Sequence, residues 1–184
     1  MSRSWHLLLA GLALAVCTAG AFGHELKVLA SGLVVPGAGE RTTVYLSWGH
    51  VLPVDDLVDA AAIERYDCIA RDGSVRALKK EGLSLQANVV EIQGEGVHQV
   101  LVSRRPAIIT FVVDKDNNRV MKRGPKSSVQ EGIIDHGLRS QQFAKALLVA
   151  GQSEGSVVKA AGQAFEIVPL EGPAQWRSNA SMRF

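Results

Sequence analysis

Four histidines follow the apolar N-terminal segment of this chain, and their imidazoles are the side chains best suited to binding chemistry. They are His24, His50, His98 and His136. Each comes from a separate segment, so no local spacing such as His-x3-His joins them and only folding could gather them. Imidazole nitrogens suit nickel, copper and zinc better than they suit calcium or magnesium. The histidines therefore indicate a candidate site for a divalent transition ion, with ordinary polar surface histidines as the alternative.

His24 and His50 are the strongest pair among these candidates. If the exported chain begins at His24, its free amine and its imidazole can chelate one ion, and His50 can supply a third nitrogen. His136 or His98 would complete the ligand set. Every ligand must be deprotonated to bind, so the affinity should fall as the pH falls.

The N-terminal segment has the features of a signal peptide covering residues 1–23. A positively charged start is followed by an apolar run over residues 7–16, which is too short to span a bilayer comfortably. Small residues allow cleavage after Ala21 or after Gly23, while an uncleaved anchor and a lipid attached at Cys17 are the alternatives. We therefore expect export to the periplasm, with no later segment apolar enough to cross a membrane.

Composition and motifs argue against nucleic-acid binding and against catalysis. The formal charge of the whole precursor is only +2, which gives no basic surface for nucleic acid. The chain has neither the Gly-x-Ser-x-Gly frame of a nucleophile elbow nor a glycine-rich loop ending in Gly-Lys-Ser/Thr. Residues 114–118 begin like a calcium loop, but Arg119 stands where the turn glycine belongs. Cys68 remains alone after export and is expected to be a small buried residue, with a reactive thiol or a metal ligand as the alternatives. Because the catalytic motifs are missing, we predict a protein that is not an enzyme.

The clearest strand of the sequence carries one of the candidate ligands at its end. Residues 41–48 alternate between polar and apolar types, with Val44 and Leu46 on the apolar face. Gly49 breaks this pattern and places His50 at the start of a loop that is rich in carboxylates. Strand-end loops are common positions for binding residues, which strengthens the interpretation of His50 as a ligand.

Many further short strands, separated by turn signals, predict an all-β protein. They cover residues 26–30, 65–71, 74–78, 83–92, 97–103, 107–113 and 164–169, with an Asp-Gly hairpin turn at 72–73. We expect an antiparallel β-sandwich of immunoglobulin or transthyretin type over residues 24–171, followed by a frayed tail at 172–184.

Four segments carry more specific or more ambiguous expectations. The run at 107–113 is almost continuously apolar, which predicts a strand buried on both faces. Residues 54–63 are rich in alanine and aspartate and predict a short helix, whereas 123–136 predict an irregular connector. Residues 139–149 fit helical spacing and strand alternation equally well.

Several segments together resemble a known family. They are His24-Glu25-Leu26 after the signal peptide, Gly37-x-Gly-Glu40 before the strand ending in Gly49-His50, Phe143-Ala-Lys-Ala-Leu-Leu, and Gly162-x-x-Phe-Glu-Ile-Val-Pro169. In order and spacing they are similar to exported bacterial domains labelled as nickel-transport-associated (NikM-like), which are otherwise of unknown function. The resemblance implies a β-sandwich, a strand at 141–149, an association with nickel or cobalt uptake, and ligand roles for His24 and His50.

One departure from that family concerns the C-terminus. Its members usually continue past the Glu-Ile-Val-Pro strand into a second immunoglobulin-like module, whereas this chain ends about fifteen residues after Pro169. The resemblance therefore implies a truncated chain that lacks the second β module.

Two functions from different classes follow from these observations. The first is a non-enzymatic periplasmic domain that binds nickel or cobalt and passes it to the membrane component of a cation-uptake transporter. The second is a structural or adhesive β-sandwich that recognises a protein or cell-envelope partner without metal. Metal binding that depends on His50 would distinguish the first from the second.

Overall fold

The computed structural model describes residues 24–52, 54–152 and 158–184, so the predicted signal peptide at 1–23 lies outside the described residues. Within this part of the chain, regular structure consists of β-strands and three single 3-10 turns, at Ala60–Ala62, Lys126–Ser128 and Pro173–Gln175. The strands are β1 (Glu25–Ala30), β2 (Val34–Val35), β3 (Arg41–Gly49), β4 (Val58–Asp59), β5 (Ile63–Ile69), β6 (Val75–Ala77), β7 (Leu83–Ser84), β8 (Gln86–Glu91), β9 (Gly96–Arg104), β10 (Ala107–Val113), β11 (Arg119–Arg123), β12 (Ile133–Ser140) and β13 (Phe143–Ala150). No helix among the described residues is long and apolar enough to span a membrane.

Two of the sheets form a β-sandwich, which confirms the predicted fold class. One sheet has the order β1-β3-β8 and the other has the order β2-β13-β9-β5-β6, with only the β2–β13 pair parallel. Their inner faces meet in one core, where Val44 and Leu46 of β3 and Leu148 of β13 have no exposed surface. Complete burial of such a side chain contributes roughly 1.5–3 kcal/mol, so this core is the main source of stability.

The alternation predicted for residues 41–48 is observed in β3 as far as Leu46, whereas Ser47, predicted on the polar face, is buried. Val44 and Leu46 point into the core, while Tyr45 between them is half-buried on the opposite face. β1 pairs antiparallel along one side of β3 and β8 pairs along the other. This central position fixes the end of β3, where the candidate ligand His50 begins the following loop.

A third sheet, with the order β11-β10-β12, lies outside the main core cluster and corrects one prediction. Residues 107–113 form β10 as expected, but this strand is not buried on both faces. Thr110 and Val112 are completely buried, whereas the side chain of Ile108 is 46% exposed. An apolar run cannot show whether one or two layers cover a sheet, because that depends on distant segments. β12 also begins at Ile133, inside the segment predicted to be irregular.

Two further segments differ in how well the prediction describes them. The predicted helix at 54–63 is wrong: β4 is followed by a single 3-10 turn that Asp59 caps by accepting the N–H of Ala61 at 2.9 Å. Only three alanines lie between this cap and Ile63, the first residue of β5. A segment of three residues is too short to form an α-helix. The ambiguous segment at 139–149 contains the regular strand β13, as the family resemblance implied.

The strand predicted at 164–169 is absent, because a buried carboxylate organises this segment instead. Glu166 accepts the N–H groups of Ala161 and Gly162, and it pairs with Lys145 of β13 at 2.9 Å. These contacts tie Glu166 to the turn that precedes the segment and to β13, and residues 164–169 pair with no strand. Further along, the tail at 172–184 turns back on itself, and Leu170 N–H donates to the carbonyl of Arg183 at 2.9 Å.

Candidate metal site

The register of β1 on β3 brings His24 and His50 together. Glu25 lies opposite Gly49 in this antiparallel pair, so the next residues beyond it on each strand are His24 and His50. Their ring centroids are 4.3 Å apart and the ring planes are inclined by 49°. Both residues are exposed at the end of the sandwich. Two imidazoles predicted from separate segments therefore share one surface site.

Gly49 and Asp55 shape the loop that presents His50. Gly49 has a φ of +133°, and a Cβ there would lie 1.9 Å from Oδ1 of Asp55, so only glycine fits. The Asp55 carboxylate accepts the N–H of His50 at 2.9 Å and the N–H of Val51 at 3.1 Å. The hydrogen bond from His50, followed by that from Val51, lowers the pKa of Asp55 below its ordinary value. Asp55 therefore acts as a clamp on the loop.

Three neighbours fix the position of His24. Its Nε2 atom lies 3.2 Å from Oδ2 of Asp56, and its ring stacks on Trp48 with centroids 5.3 Å apart. Gln142 donates a hydrogen bond of 2.8 Å to the backbone carbonyl of His24. A carboxylate beside Nε2 favours the tautomer that carries the proton there, which leaves Nδ1 as the nitrogen able to bind a metal.

The separation of the two rings is compatible with a shared ion. At a metal–nitrogen distance of about 2.1 Å, two imidazoles at a right angle around one ion have centroids roughly 4.5 Å apart. The side chains of His24 and His50 alone do not complete a site. Within residues 24–52, 54–152 and 158–184, no group of three or more His, Cys, Asp or Glu side chains is placed to hold a metal. A third donor must come from outside that set of side chains.

His98 lies in the interior and is not brought to this pair. Its side chain is 1% exposed, and its Nε2 atom lies 3.1 Å from the carbonyl oxygen of Gly94. Arg104, at the other end of β9, is the residue of this strand that contacts Trp48 beside His24. His98 precedes Arg104 by six residues, which corresponds to about 20 Å along an extended strand. The structure therefore places His98 in the packing of the sandwich.

His136 lies on the third sheet among partners of its own. Its ring stacks on Phe111 with centroids 4.6 Å apart, and its Nδ1 atom lies 3.1 Å from Oδ2 of Asp135. Arg119 contacts both His136 and Asp135. These contacts link His136 to the β11-β10-β12 sheet, whereas His24 and His50 lie at the end of the β1–β3 pair.

Comparison with known proteins gives a family for this chain. The family described as a domain of unknown function (DUF4198) matches residues 21–184. The chain belongs to the DUF4198 family. No curated protein and no solved structure matches it. The description of the family names no activity and no ligand.

Two contacts of this DUF4198 domain were not predicted from its sequence. The guanidinium of Arg104, at the end of β9, lies over the ring of Trp48 at 4.0 Å from its centroid. Asp56 lies in the carboxylate-rich loop that follows His50, where its backbone pairs with Trp48 and its carboxylate faces His24. Asp56 follows His50 closely enough to suggest a role in the same loop. Arg104 carries no such local signal.

Proposed function

We propose that this DUF4198 domain is a non-enzymatic periplasmic protein that binds a divalent transition ion, nickel or cobalt, in support of an uptake system. Export through a cleaved signal peptide and transfer of the ion to the membrane component of a cation transporter are parts of this proposal. The observation that supports it is the contact between the rings of His24 and His50, whose centroids are 4.3 Å apart.

The third donor in this proposal is the backbone nitrogen of His24. When cleavage after Gly23 makes this nitrogen a free amine, the amine and Nδ1 of the same residue close a six-membered chelate ring around the ion. The Asp56 carboxylate 3.2 Å from Nε2 supports this arrangement, because it favours a bare Nδ1 and orients the ring. His50 then supplies the third nitrogen. Nitrogen-rich sets of this kind suit nickel and its neighbours in the transition series.

Exposure of the ligands fits a protein that releases its cargo. The His24 side chain is 44% exposed and His50 is also exposed, so a partner protein can reach the bound ion. Metal–ligand bonds at an open site can be exchanged one at a time for those of a partner. A closed four-ligand structural site would retain the metal instead.

Calorimetry with nickel and cobalt chlorides tests this function directly. Protein that begins at His24 should bind with micromolar affinity, and His50→Ala should weaken binding by about tenfold or more, since it removes one of three nitrogen donors. His136→Ala is the matched control and should leave binding unchanged. Protein that begins at His24 with an acetylated N-terminus should also bind weakly, because its His24 nitrogen is then a capped amide with no free amine beside it. Nickel binding that is equally tight in His50→Ala would refute the assigned ligands.

A second candidate function, recognition of a protein partner without metal, has its own supporting observation. The third sheet exposes several apolar side chains, with relative exposures of 60% for Met121, 74% for Ile133 and 47% for Leu138. Exposed apolar groups on one sheet are typical of interaction surfaces. Under this alternative no first-row metal would give a heat of binding, and chelators would not release the partner.

A further inference from the structure

Two arginines line one small cavity beside the histidine pair. The cavity has a volume of about 290 Å³ and is bounded by Arg104, Arg123, Trp48, Asp56 and Asp59 on its polar sides. Leu26, Val58, Ile63 and Leu83 form its apolar wall. Ligand pockets in proteins start at roughly 300 Å³, so this cavity is large enough only for a small molecule.

Neither guanidinium forms an ion pair with a carboxylate in the described part of the chain. Arg104 lies on the Trp48 ring and makes no side-chain hydrogen bond or ion pair with a described residue. Arg123 likewise makes none with a described residue. An arginine has five N–H donors in a planar fork, and this fork matches a carboxylate. Two such forks, neither of them in an ion pair with a described residue, therefore line one cavity.

The acidic residues of the same cavity already have donors. Asp56 faces His24 and accepts the N–H of Leu57 at 2.7 Å. Asp59 accepts the N–H of Ala61 at 2.9 Å, although its charge still acts favourably on Arg104. Their contacts direct these carboxylates to backbone groups and to His24 rather than into ion pairs with the arginines.

The electrostatics around Arg104 favour the approach of an anion. Partial burial is the main cause that lowers the pKa of Arg104, and the positive charge of Arg123 lowers it further. A cation that is partly desolvated and repelled by a second cation gains from an incoming anion. Arg104 remains charged under all ordinary conditions.

We propose that this cavity binds the carboxylate group of a small organic acid, held between Arg104 and Arg123 with its carbon chain against the apolar wall. Trp48 forms one side of the cavity and also stacks on His24, so the acid would bind next to the candidate metal ligands. The proposal does not require a bound metal. Two sources share this chemistry: a dicarboxylic acid and the carboxylate of an amino acid.

Calorimetry on metal-free protein, at low ionic strength and in a buffer without carboxylates, tests the site. Succinate is the probe for dicarboxylic acids and L-alanine is the probe for amino acids. At least one should bind, and the one that binds identifies the source, since only L-alanine carries an ammonium group that Asp56 or Asp59 can attract. Sodium sulfate at equal ionic strength is the control for unspecific charge effects and should bind more weakly.

Substitutions locate the binding to the cavity. Arg123→Gln, at an exposed position that should tolerate it, is expected to weaken binding about tenfold, because it removes a charge-assisted contact. Arg104→Lys keeps the charge but loses the fork, and it should also weaken binding. Arg177→Gln, an exposed arginine away from the cavity, should have no effect. Absence of binding up to 10 mM of both probes, or equal affinity in Arg123→Gln and the parent protein, would overturn the proposal. Neither result would bear on nickel binding, which is measured separately.

Discussion

His24 lies opposite His50 across the open end of the β1–β3 pair, with ring centroids 4.3 Å apart. The relationship depends on strand register, because side chains alternate between the two faces of a sheet. A shift of one residue would place the two imidazoles on opposite faces and separate them. Any function that needs both imidazoles therefore requires the correct pairing of β1 with β3. Lys27 supports this pairing through a hydrogen bond of 2.8 Å to the carbonyl of Gly49.

Gly49→Ala should damage both the fold and the site. The new Cβ would lie 1.9 Å from Oδ1 of Asp55 at a φ of +133°, so the loop that presents His50 must move. We expect the free energy of unfolding to fall by about 2–3 kcal/mol, and nickel binding to weaken with it. Urea unfolding and calorimetry measure the two effects.

Gly73→Ala is the matched control for that substitution. Gly73 also has a positive φ, of +88°, but a Cβ there meets no atom within 4 Å. Gly73→Ala should lower the free energy of unfolding by only about 1–2 kcal/mol, which is the cost of a Cβ at a positive φ. It should leave nickel binding intact. Equal effects of the two substitutions would show that the contact with Asp55 does not matter.

Nickel should quench the fluorescence of Trp48. The indole stacks on His24 at 5.3 Å between centroids, and a paramagnetic ion held by that imidazole lies close enough to quench it. Trp176→Phe leaves Trp48 as the single tryptophan in protein that begins at His24. Quenching should saturate with the same affinity as the calorimetric signal and should weaken in His50→Ala. Calorimetric nickel binding that leaves the fluorescence of Trp48 unchanged would mean that the ion is held elsewhere.

The clamp formed by Asp55 should resist acid. Hydrogen bonds from His50 and then Val51 lower the pKa of this carboxyl, so its folded-state value lies below its unfolded-state value. Its contribution to stability is therefore present above the unfolded-state pKa and is lost as the pH falls through the lowered folded-state pKa. The amide protons of His50 and Val51 should shift together in an NMR titration, with a midpoint below that of an ordinary aspartate. This shift should disappear in Asp55→Asn.

Glu166→Gln should be strongly destabilising. The side chains of Glu166 and Lys145 are only 7% and 10% exposed and form an ion pair of 2.9 Å. Burial alone would raise the pKa of Glu166, but the hydrogen bonds from Lys145 and from the N–H of Ala161 outweigh it, and the pKa is lowered. Removal of the charge leaves Lys145 buried without a partner, which costs about 3–5 kcal/mol.

A comparison with an exposed glutamate tests that explanation. Glu64→Gln changes a surface residue of β5 and should alter the free energy of unfolding by less than about 0.5 kcal/mol. The loss in Glu166→Gln should also diminish as the pH falls through the lowered pKa of Glu166, because the parent protein then loses the same charge. A loss that is independent of pH would assign the effect to packing.

Local patterns predicted those elements whose signals lie within a few residues. The alternation in β3 as far as Leu46, the end of this strand at Gly49 and the hairpin at Asp72-Gly73 are all observed. The burial predicted for Cys68 is also confirmed, since its side chain is 6% exposed. The segment at 164–169 was predicted wrongly because Glu166 finds its partner 21 residues away, on β13. No pattern within the segment could reveal that contact.

The amino-acid sequence by itself determined which donors the molecule carries and where its central strand ends, because residue type and strand alternation are local properties. Only the tertiary structure decided that His24 meets His50, that His98 is buried, and that Arg104 lies over Trp48. Those relationships depend on the register of paired strands and on the packing of segments far apart in the chain. Long-range hydrogen bonds and burial determine the register and the packing, and no short stretch of sequence encodes either of them alone.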